Sequence, residues 1–343
     1  MPSPAPSRPA TAPRPLLCRP QPLPAALAPA TAGPGSALEP AAEPADWDSL
    51  QQALDHSLRA LRPDTGWLAR LTAVRQGVLR LADARPDAAL LQLVWAAGHD
   101  PLHYSSRHGL LCALVAREAA RVLDWPAALQ GSLVMAALTM NAAMHGLQDA
   151  LALAPEPVTP AVRQHIATHA EQAAHWLVAA GVADSSWIEV VRLHHDDSLA
   201  HRPLGQLDAV QRAARLLHRV DMFIAMLSCR EGRAPMSPVQ AARKCCLGAD
   251  GTPDEIGAAL LQAVGLYPPG SCVRLASGEA GVVVGRGPRA NLPRVAVVQG
   301  ADGAPLPQPV LRQPHDRRFQ VRGPLASHEL QVVPTLSALL ALG

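Results

Sequence analysis

The sequence has few aromatic residues and almost no excess charge. Aromatic side chains make up 3% of the 343 residues, and the formal net charge is +2. A charge this small favours neither nucleic acid nor an anionic membrane surface as a partner, because both need a strongly cationic surface. We also find no internal repeat, no glycine-rich phosphate loop and no heptad pattern. A nucleic-acid-binding function is therefore not expected.

Cysteine occurs without a recognisable pattern. The six cysteines form neither a CxxC pair nor a regular framework: Cys18, Cys112, Cys229, Cys245, Cys246 and Cys272. A chain of this length does not need disulfide bonds to hold its core together. The reducing cytoplasm is therefore the expected compartment.

No secretory signal peptide is recognised, because proline interrupts each apolar piece near the N-terminus before it reaches the required length. The uncharged run over residues 125–148 is long enough to suggest a membrane span. It contains Pro126, Asn141, His145 and Gly146, and these residues favour a buried core helix instead. We therefore expect no membrane-spanning segment.

The chain is expected to have four regions. Residues 1–45 contain 13 prolines and 12 alanines, a composition that predicts a disordered tail because it can bury little apolar surface. An N-terminal helical segment is expected over residues 46–100 and a larger helical domain over 101–267. Residues 268–343 are expected to form a small β module.

Hydrophobic periodicity supports this division. Apolar residues recur at three- and four-residue steps from about residue 46 to residue 265, which predicts helices throughout. One helix is expected to begin with Thr159 as its N-cap and Pro160 at its first position, and to end at Gly181. After Tyr267 the pattern alternates, with turns at "SGEAG" and "DGAP", which predicts antiparallel strands.

A polar residue interrupts an apolar stretch in the helical region. The stretch "AALTMNAAMHGLQDAL", over residues 136–151, is expected to be one buried helical run, with Met140 and Asn141 in its middle. His145 lies one turn beyond Asn141, and its ring nitrogen is an alternative metal ligand near that position.

Several side chains of the helical region are candidate metal ligands: His108, His169, His194, His195 and Asp221. They lie on four different predicted helices, and ligands on different helices of a bundle can converge on its core. Neutral imidazoles together with a carboxylate suit Fe, Mn or Zn. A single histidine on a helix is more often exposed or satisfied within the core, and that interpretation is preferred for the remaining helical histidines: His165, His175, His201 and His218.

The ordered set of these segments resembles the HD-GYP domain, a branch of the HD phosphohydrolases. "SSRHGLLCA" is similar to the segment with the first ligand histidine, His108, and "HIATHAEQAA" to the segment with the next, His169. "VVRLHHDD" resembles the paired-histidine segment with His194 and His195, and "RLLHRVDMFIAML" the late helix with Asp221. The resemblance implies an HD-type helical bundle over residues 101–267, around a site for two or three metal ions. It also implies hydrolysis of cyclic di-GMP by metal-bound water.

The chain departs from the family at its signature. Met140 and Asn141 stand where the family has its His-Asp pair, and Met144 stands where it has a lysine. In the family the aspartate bridges the metal ions and the lysine contacts phosphate. The Gly-Tyr-Pro loop expected between His195 and Asp221 is absent. These changes imply that no catalytic residue is retained at the signature positions.

Three functions follow from this comparison. The first is a catalytically degenerate HD-GYP-like module that binds a nucleotide or a protein partner in cyclic-dinucleotide signalling. The second is a slow phosphohydrolase with one metal ion, and the third is a non-catalytic helical scaffold resembling the HD-output branch. The chain is expected to hold either no metal or one divalent ion, bound by His169, His194 and His195.

Overall fold

The computed structural model describes residues 46–63, 66–200, 202–248 and 251–343. The Pro/Ala-rich segment predicted to be a disordered tail, residues 1–45, lies outside the described residues, and so does His201.

Most of the described chain is helical, as the periodicity predicted. The α-helices of the described residues are, in chain order, α1 (Trp47–Arg59), α2 (Trp67–Ala84), α3 (Pro86–His99), α4 (Tyr104–Val122), α5 (Ala127–Thr139), α6 (His145–Ala152), α7 (Pro160–Ala179), α8 (Ser185–Leu193), α9 (Asp197–Ala200), α10 (Ala209–Leu227), α11 (Pro238–Cys245), α12 (Glu255–Val264) and α13 (Leu336–Leu340).

Side-chain caps explain where several of these helices begin. The Thr159 hydroxyl accepts the backbone N–H of Val162, and Pro160 is the first residue of α7, as predicted. Asp208 forms a capping box with Gln211 at the start of α10. Such caps satisfy backbone N–H groups that have no partner within the helix, so the local sequence alone is enough to position these ends.

The expectation of one continuous helix over residues 136–151 is wrong. Helix α5 ends at Thr139, Ala142–Met144 form a short 3-10 helix, and α6 begins at His145. The amide of Met144 bonds to the carbonyl of Asn141, and His165 on α7 donates a hydrogen bond to the carbonyl of Ala143. This contact from another helix stabilises the break, and nothing in the Ala-rich sequence signals it.

The same stretch bears on the expected absence of a membrane span. Among the described residues, Ala127–Ala152 is the one stretch long and apolar enough to cross a membrane by length and composition. In the fold it is divided between α5, the 3-10 helix and α6, and most of it is buried inside the protein. These features fit a core segment better than a membrane span.

The C-terminal part forms an antiparallel sheet, as predicted. Its strands are β1 (Cys272–Leu275), β2 (Ala280–Gly285), β3 (Arg294–Gln299), β4 (Pro305–Arg312) and β5 (Val321–Pro324), in the spatial order β4-β3-β2-β1-β5. Gly278 has a φ of 90° in the "SGEAG" turn, and Gly303 has a φ of 86° in the "DGAP" turn. Glycine reaches these angles without the steric penalty of a side chain.

The sheet packs directly against the N-terminal helical segment. Leu91 and Trp95 of α3 belong to one apolar cluster with Val282 and Val284 of β2. Arg286 reinforces this contact, because its Nε lies 2.6 Å from Oδ1 of Asp87 at the start of α3. The four-region division of the chain stays a prediction, although these two regions share a core.

Helix α4 lies at the centre of the helical core. Nearly all of its residues are buried, and it packs against α5, α10 and α12. Helix α8 packs against α5, α7 and α10. These contacts bring α4, α7, α8 and α10 together, and those are the helices that carry or precede the predicted ligands.

Candidate functional site

Three histidine side chains converge where α7 meets the end of α8. His169 lies on α7, while His194 and His195 directly follow α8. The ring centres of His169 lie 5.2 Å from His194 and 5.0 Å from His195, and those of His194 and His195 are 4.2 Å apart. Each residue offers a ring nitrogen within 4.8 Å of those of the other two. The predicted three-histidine group is therefore assembled in the fold.

Backbone hydrogen bonds orient two of these rings. Nδ1 of His169 donates to the carbonyl of Ile166, and Nδ1 of His194 donates to the carbonyl of Val191, both at 2.6 Å. Each ring therefore carries its lone pair on Nε2. Both Nε2 atoms are buried and have no hydrogen-bond partner among the described residues. An Nδ1–H bonded to a carbonyl with a free Nε2 is the usual arrangement of a metal-ligating histidine.

Desolvation keeps the three imidazoles neutral, although the side chain of His195 remains 34% exposed. Desolvation lowers the pKa of His194 to about 3 and that of His195 to about 4, and it lowers the pKa of His169 below its ordinary value. The charge of Asp221 acts in the opposite direction on all three and is outweighed. A neutral imidazole is the form that binds a metal ion, so the group is ready for a ligand at neutral pH.

A second group of side chains adjoins the first. Oδ1 of Asp221 lies 2.7 Å from Nε2 of His108, and Oδ2 lies 3.7 Å from Nε2 of His195. Sγ of Cys112 is 3.4 Å from the same nitrogen of His108. Asp221 thus joins the two groups, and all five predicted ligands lie in one continuous cluster. Whether they bind a metal stays a prediction.

Protonation differs between the members of this second group. Burial raises the pKa of Asp221, but the hydrogen bond from His108 and the nearby imidazoles outweigh it and hold this pKa well below its usual range. Burial, with a smaller contribution from Asp221, raises the pKa of the Cys112 thiol well above its usual value. The group therefore contains one carboxylate and one protonated thiol.

The three signature positions supply no charge. Met140 is fully buried in the main apolar core, and Asn141 and Met144 are also buried. The side chain of Asn141 forms no hydrogen bond with any residue in the described ranges. Asp221 is therefore the one carboxylate in the two ligand groups described above.

His145 does not join the cluster. Its Nε2 lies 2.8 Å from Oδ1 of Asp55 on α1, and Asp55 also accepts a hydrogen bond from Arg59. Asp149 completes this separate group, with Arg59 3.5 Å away. Nε2 of His145 is thus already paired with a carboxylate of α1.

Several residues near His108 were not predicted as site residues. The Tyr104 ring stacks on His108 with centres 5.5 Å apart, and Arg230 donates to the Tyr104 hydroxyl at 2.7 Å. Arg230 and Arg233 form no ion pair with any carboxylate of the described residues. Cys112 follows His108 by four residues, a spacing that places both on one helix face. This spacing is the feature of the sequence that could have placed Cys112 beside His108, and it is a weak signal.

Comparison with known proteins gives one curated relative for this chain. No family model and no solved structure matches it. The chain is 28% identical over 233 residues to a cyclic di-GMP phosphodiesterase of Pseudomonas aeruginosa. The match covers 66% of this chain and 55% of the relative, so the chain spans about half the length of the curated relative it matches.

Proposed function

We propose that this chain is an HD-GYP-like binding or regulatory module in bacterial cyclic-dinucleotide signalling, and that it does not hydrolyse cyclic di-GMP. Two findings support the signalling role: the similarity to a cyclic di-GMP phosphodiesterase, and the convergence of the five predicted ligands. The uncharged residues at positions 140, 141 and 144 support the loss of hydrolysis. Action in the cytoplasm is part of the same proposal.

The proposal rests on the buried, unpartnered Nε2 atoms of His169 and His194, together with the lack of an anionic side chain at positions 140 and 141. Two dications about 3.5 Å apart repel by roughly 19 kcal/mol at an effective dielectric constant of about 20, and bridging anions must offset this. Asn141 is neutral and cannot replace a bridging carboxylate. The cluster therefore suits one divalent ion better than two.

The donor set fits an Fe, Mn or Zn ion held by His169, His194 and His195. The unpartnered Nε2 atoms of His169 and His194 favour a bound ion. A buried acceptor without a partner costs free energy, and a bound ion would recover it. Such an ion supplies Lewis-acid polarisation of a phosphoryl oxygen. The protein's own residues hold the ion and orient the rings.

Two arginines provide charge for a nucleotide ligand. Arg230 contacts Tyr104, which stacks on His108, and Arg233 interacts electrostatically with the same tyrosine. Guanidinium groups bind phosphate through paired hydrogen bonds. With no carboxylate partner among the described residues, they supply positive charge near His108, whereas Met144 is uncharged.

The second candidate is a slow phosphohydrolase with one metal ion and a substrate other than cyclic di-GMP. Three protein ligands leave a coordination position open in catalytic sites, and the Asp221 carboxylate lies 3.7 Å from His195. This geometry favours hydrolysis of some phosphoester over the third candidate, a helical scaffold without a ligand.

The test combines metal content, binding and turnover. We expect at most one metal ion per chain in protein purified without chelator. Calorimetry should detect cyclic di-GMP or a related nucleotide bound without turnover in the presence of Mn(II) or Fe(II). Multiple turnover of cyclic di-GMP that a chelator abolishes would contradict the proposal. Chelator-sensitive turnover of a simple aryl phosphodiester, but not of cyclic di-GMP, would favour the second candidate.

A further inference from the structure

A cavity separate from the histidine cluster lies at the N-terminal ends of three helices, α5, α8 and α10. It has a volume of about 610 Å³ and is lined by residues from α2, α5 and the beginnings of α8 and α10. None of the five predicted ligands lines it. Its volume falls within the range of about 300–1,000 Å³ that is typical of small-molecule sites.

Arg75 of α2 lines this cavity without an ion-pair partner among the described residues. Its guanidinium forms no hydrogen bond or ion pair with any residue in the described part of the chain, and its Nε is buried. A partly buried cation without a partner is unfavourable, so an anion in the cavity would stabilise it. Gly131 makes room for the group, because a Cβ at that position would lie only 3.1 Å from Nη2 of Arg75.

The start of α5 adds hydrogen-bond donors to the same wall. Ala127, Ala128 and Leu129 line the cavity, and the N-cap Pro126 offers no side-chain acceptor to their backbone N–H groups. The first N–H groups of a helix have no partner within the helix, and the helix dipole there favours an anion. The guanidinium and these amides are therefore two independent sources of positive potential.

The one carboxylate that lines the cavity, Asp184, accepts hydrogen bonds from two neutral donors of the protein. Oδ1 of Asp184 accepts the amide of Trp187 at the start of α8, and Oδ2 accepts the hydroxyl of Ser132 at 2.7 Å. Asp184 forms no ion pair with Arg75. The rest of the lining includes apolar side chains, among them Leu129, Met135 and Val210. The cavity thus combines a cationic end with an apolar wall.

We propose that this cavity binds a small molecule through a phosphate group, which lies against Arg75 and the first amides of α5, while its less polar part contacts Met135 and Val210. The site is separate from the histidine cluster. Helix α5 spans roughly 20 Å and α8 roughly 14 Å, and the far ends of these helices lead to Met140 and His194. A ligand here thus contacts the starts of helices that carry the other site.

The proposal is tested by titrating metal-stripped protein with inorganic phosphate and with GMP at constant ionic strength, using calorimetry and thermal unfolding. Guanosine, which lacks the phosphate, is the matched ligand control. We expect saturable binding of GMP at millimolar or lower concentration and none of guanosine. Arg75→Gln should weaken GMP binding about tenfold, the loss expected for one charge-assisted hydrogen bond, and Arg75→Lys should weaken it less.

Gly131→Ala provides a second variant that keeps the arginine. Its Cβ requires the Arg75 guanidinium to shift by a few tenths of an ångström. We expect weaker GMP binding without a lower melting temperature in the absence of ligand, because alanine favours a helix more than glycine does. Equal GMP affinity in the wild type, Arg75→Gln and Gly131→Ala would overturn the proposal, as would absence of saturable binding to the wild type. Before the metal is removed, metal content should be the same in the wild type and in all these variants, which separates this test from that of the histidine cluster.

Discussion

The two halves of the histidine cluster contain similar residues in different states. In one half, His169 and His194 donate through Nδ1 to backbone carbonyls, and their buried Nε2 atoms have no partner among the described residues. In the other half, Nε2 of His108 is already hydrogen-bonded to Asp221 at 2.7 Å. The first half presents free Nε2 atoms to an ion, whereas in the second the carboxylate occupies Nε2 of His108 and leaves its Nδ1 without a partner among the described residues.

This difference shows that residue type alone does not define a ligand. A histidine whose backbone contact occupies Nδ1 presents Nε2 as an acceptor, and burial keeps it neutral. A histidine beside a buried carboxylate is stabilised without any metal. We therefore expect the two halves to respond differently to substitution, to pH and to added metal.

The largest expected effect is loss of metal from the three-histidine half. His194→Ala combined with His195→Ala should remove the bound ion completely, because only His169 would remain of the three donors. Metal content per chain, measured after purification without chelator, checks this. His175→Ala is the matched control, since His175 is an exposed histidine on α7 and should leave the content unchanged. If the double variant keeps its metal, the ion is bound elsewhere.

Repair of the signature should make the two halves more alike. Met140→His combined with Asn141→Asp adds a donor and an anion, so metal content should rise towards two ions per chain. Without metal, the new aspartate is a buried unpaired charge, and the variant should be less stable than the wild type by several kcal/mol. Added Mn(II) or Fe(II) should raise its melting temperature.

The neutral variant Met140→Leu is the control for this repair, and it should respond to metal as the wild type does. A repaired variant that binds no additional metal and melts like the wild type with and without the ion would show that positions 140 and 141 do not face the site.

Acid should destabilise the metal-free protein through the same residues. The pKa values of His169, His194 and His195 are lower in the folded state than in the unfolded chain, so the unfolded chain takes up protons first as the pH falls. Stability is therefore present above about pH 6.5 and is lost progressively down to about pH 3. The pKa of Asp221 is also lowered in the folded state, so stability falls further as the pH drops below the ordinary pKa of an aspartate.

Melting temperatures in the presence of chelator, recorded from neutral to acidic pH, check this expectation. The variant with His194→Ala and His195→Ala should show a shallower decline, because two of the titrating groups are gone. An equal decline in both proteins would assign the acid sensitivity to other groups.

The smallest expected effect on metal content is that of His108→Ala. If the three-histidine half alone holds the ion, this variant should keep its full metal content. Its free energy of unfolding, measured by urea denaturation, should fall by about 3 kcal/mol. The reason is that Asp221 is left as a buried carboxylate without its closest partner. Loss of metal from His108→Ala would mean that the two halves bind one shared ion.

Local sequence was a good guide where structure depends on neighbouring residues. Thr159 and Pro160 mark the beginning of α7 because a capping hydroxyl and a proline act within one turn. The "SGEAG" and "DGAP" turns were predictable for the same reason, since glycine permits their backbone angles. The five ligand positions came from the order of motifs along the chain.

Contacts between distant segments were not predictable in this way. The break between α5 and α6 is stabilised by His165 on another helix. His145 is hydrogen-bonded to Asp55 on α1. Arg75 lines a cavity because α2 lies beside the start of α5. Each of these depends on packing between residues that are far apart in the chain, and no local pattern encodes it.

The sequence by itself determined the helical and strand periods, the caps and the presence of five ligand-type side chains, because these depend on residue type and short spacing. Only the tertiary structure decided which ring nitrogens are free. His169, His194 and His108 are all buried histidines, yet the first two are oriented by backbone carbonyls and the third is paired with a carboxylate from another helix. Helix packing made that distinction, because it determines which acceptor lies within hydrogen-bonding distance of each ring.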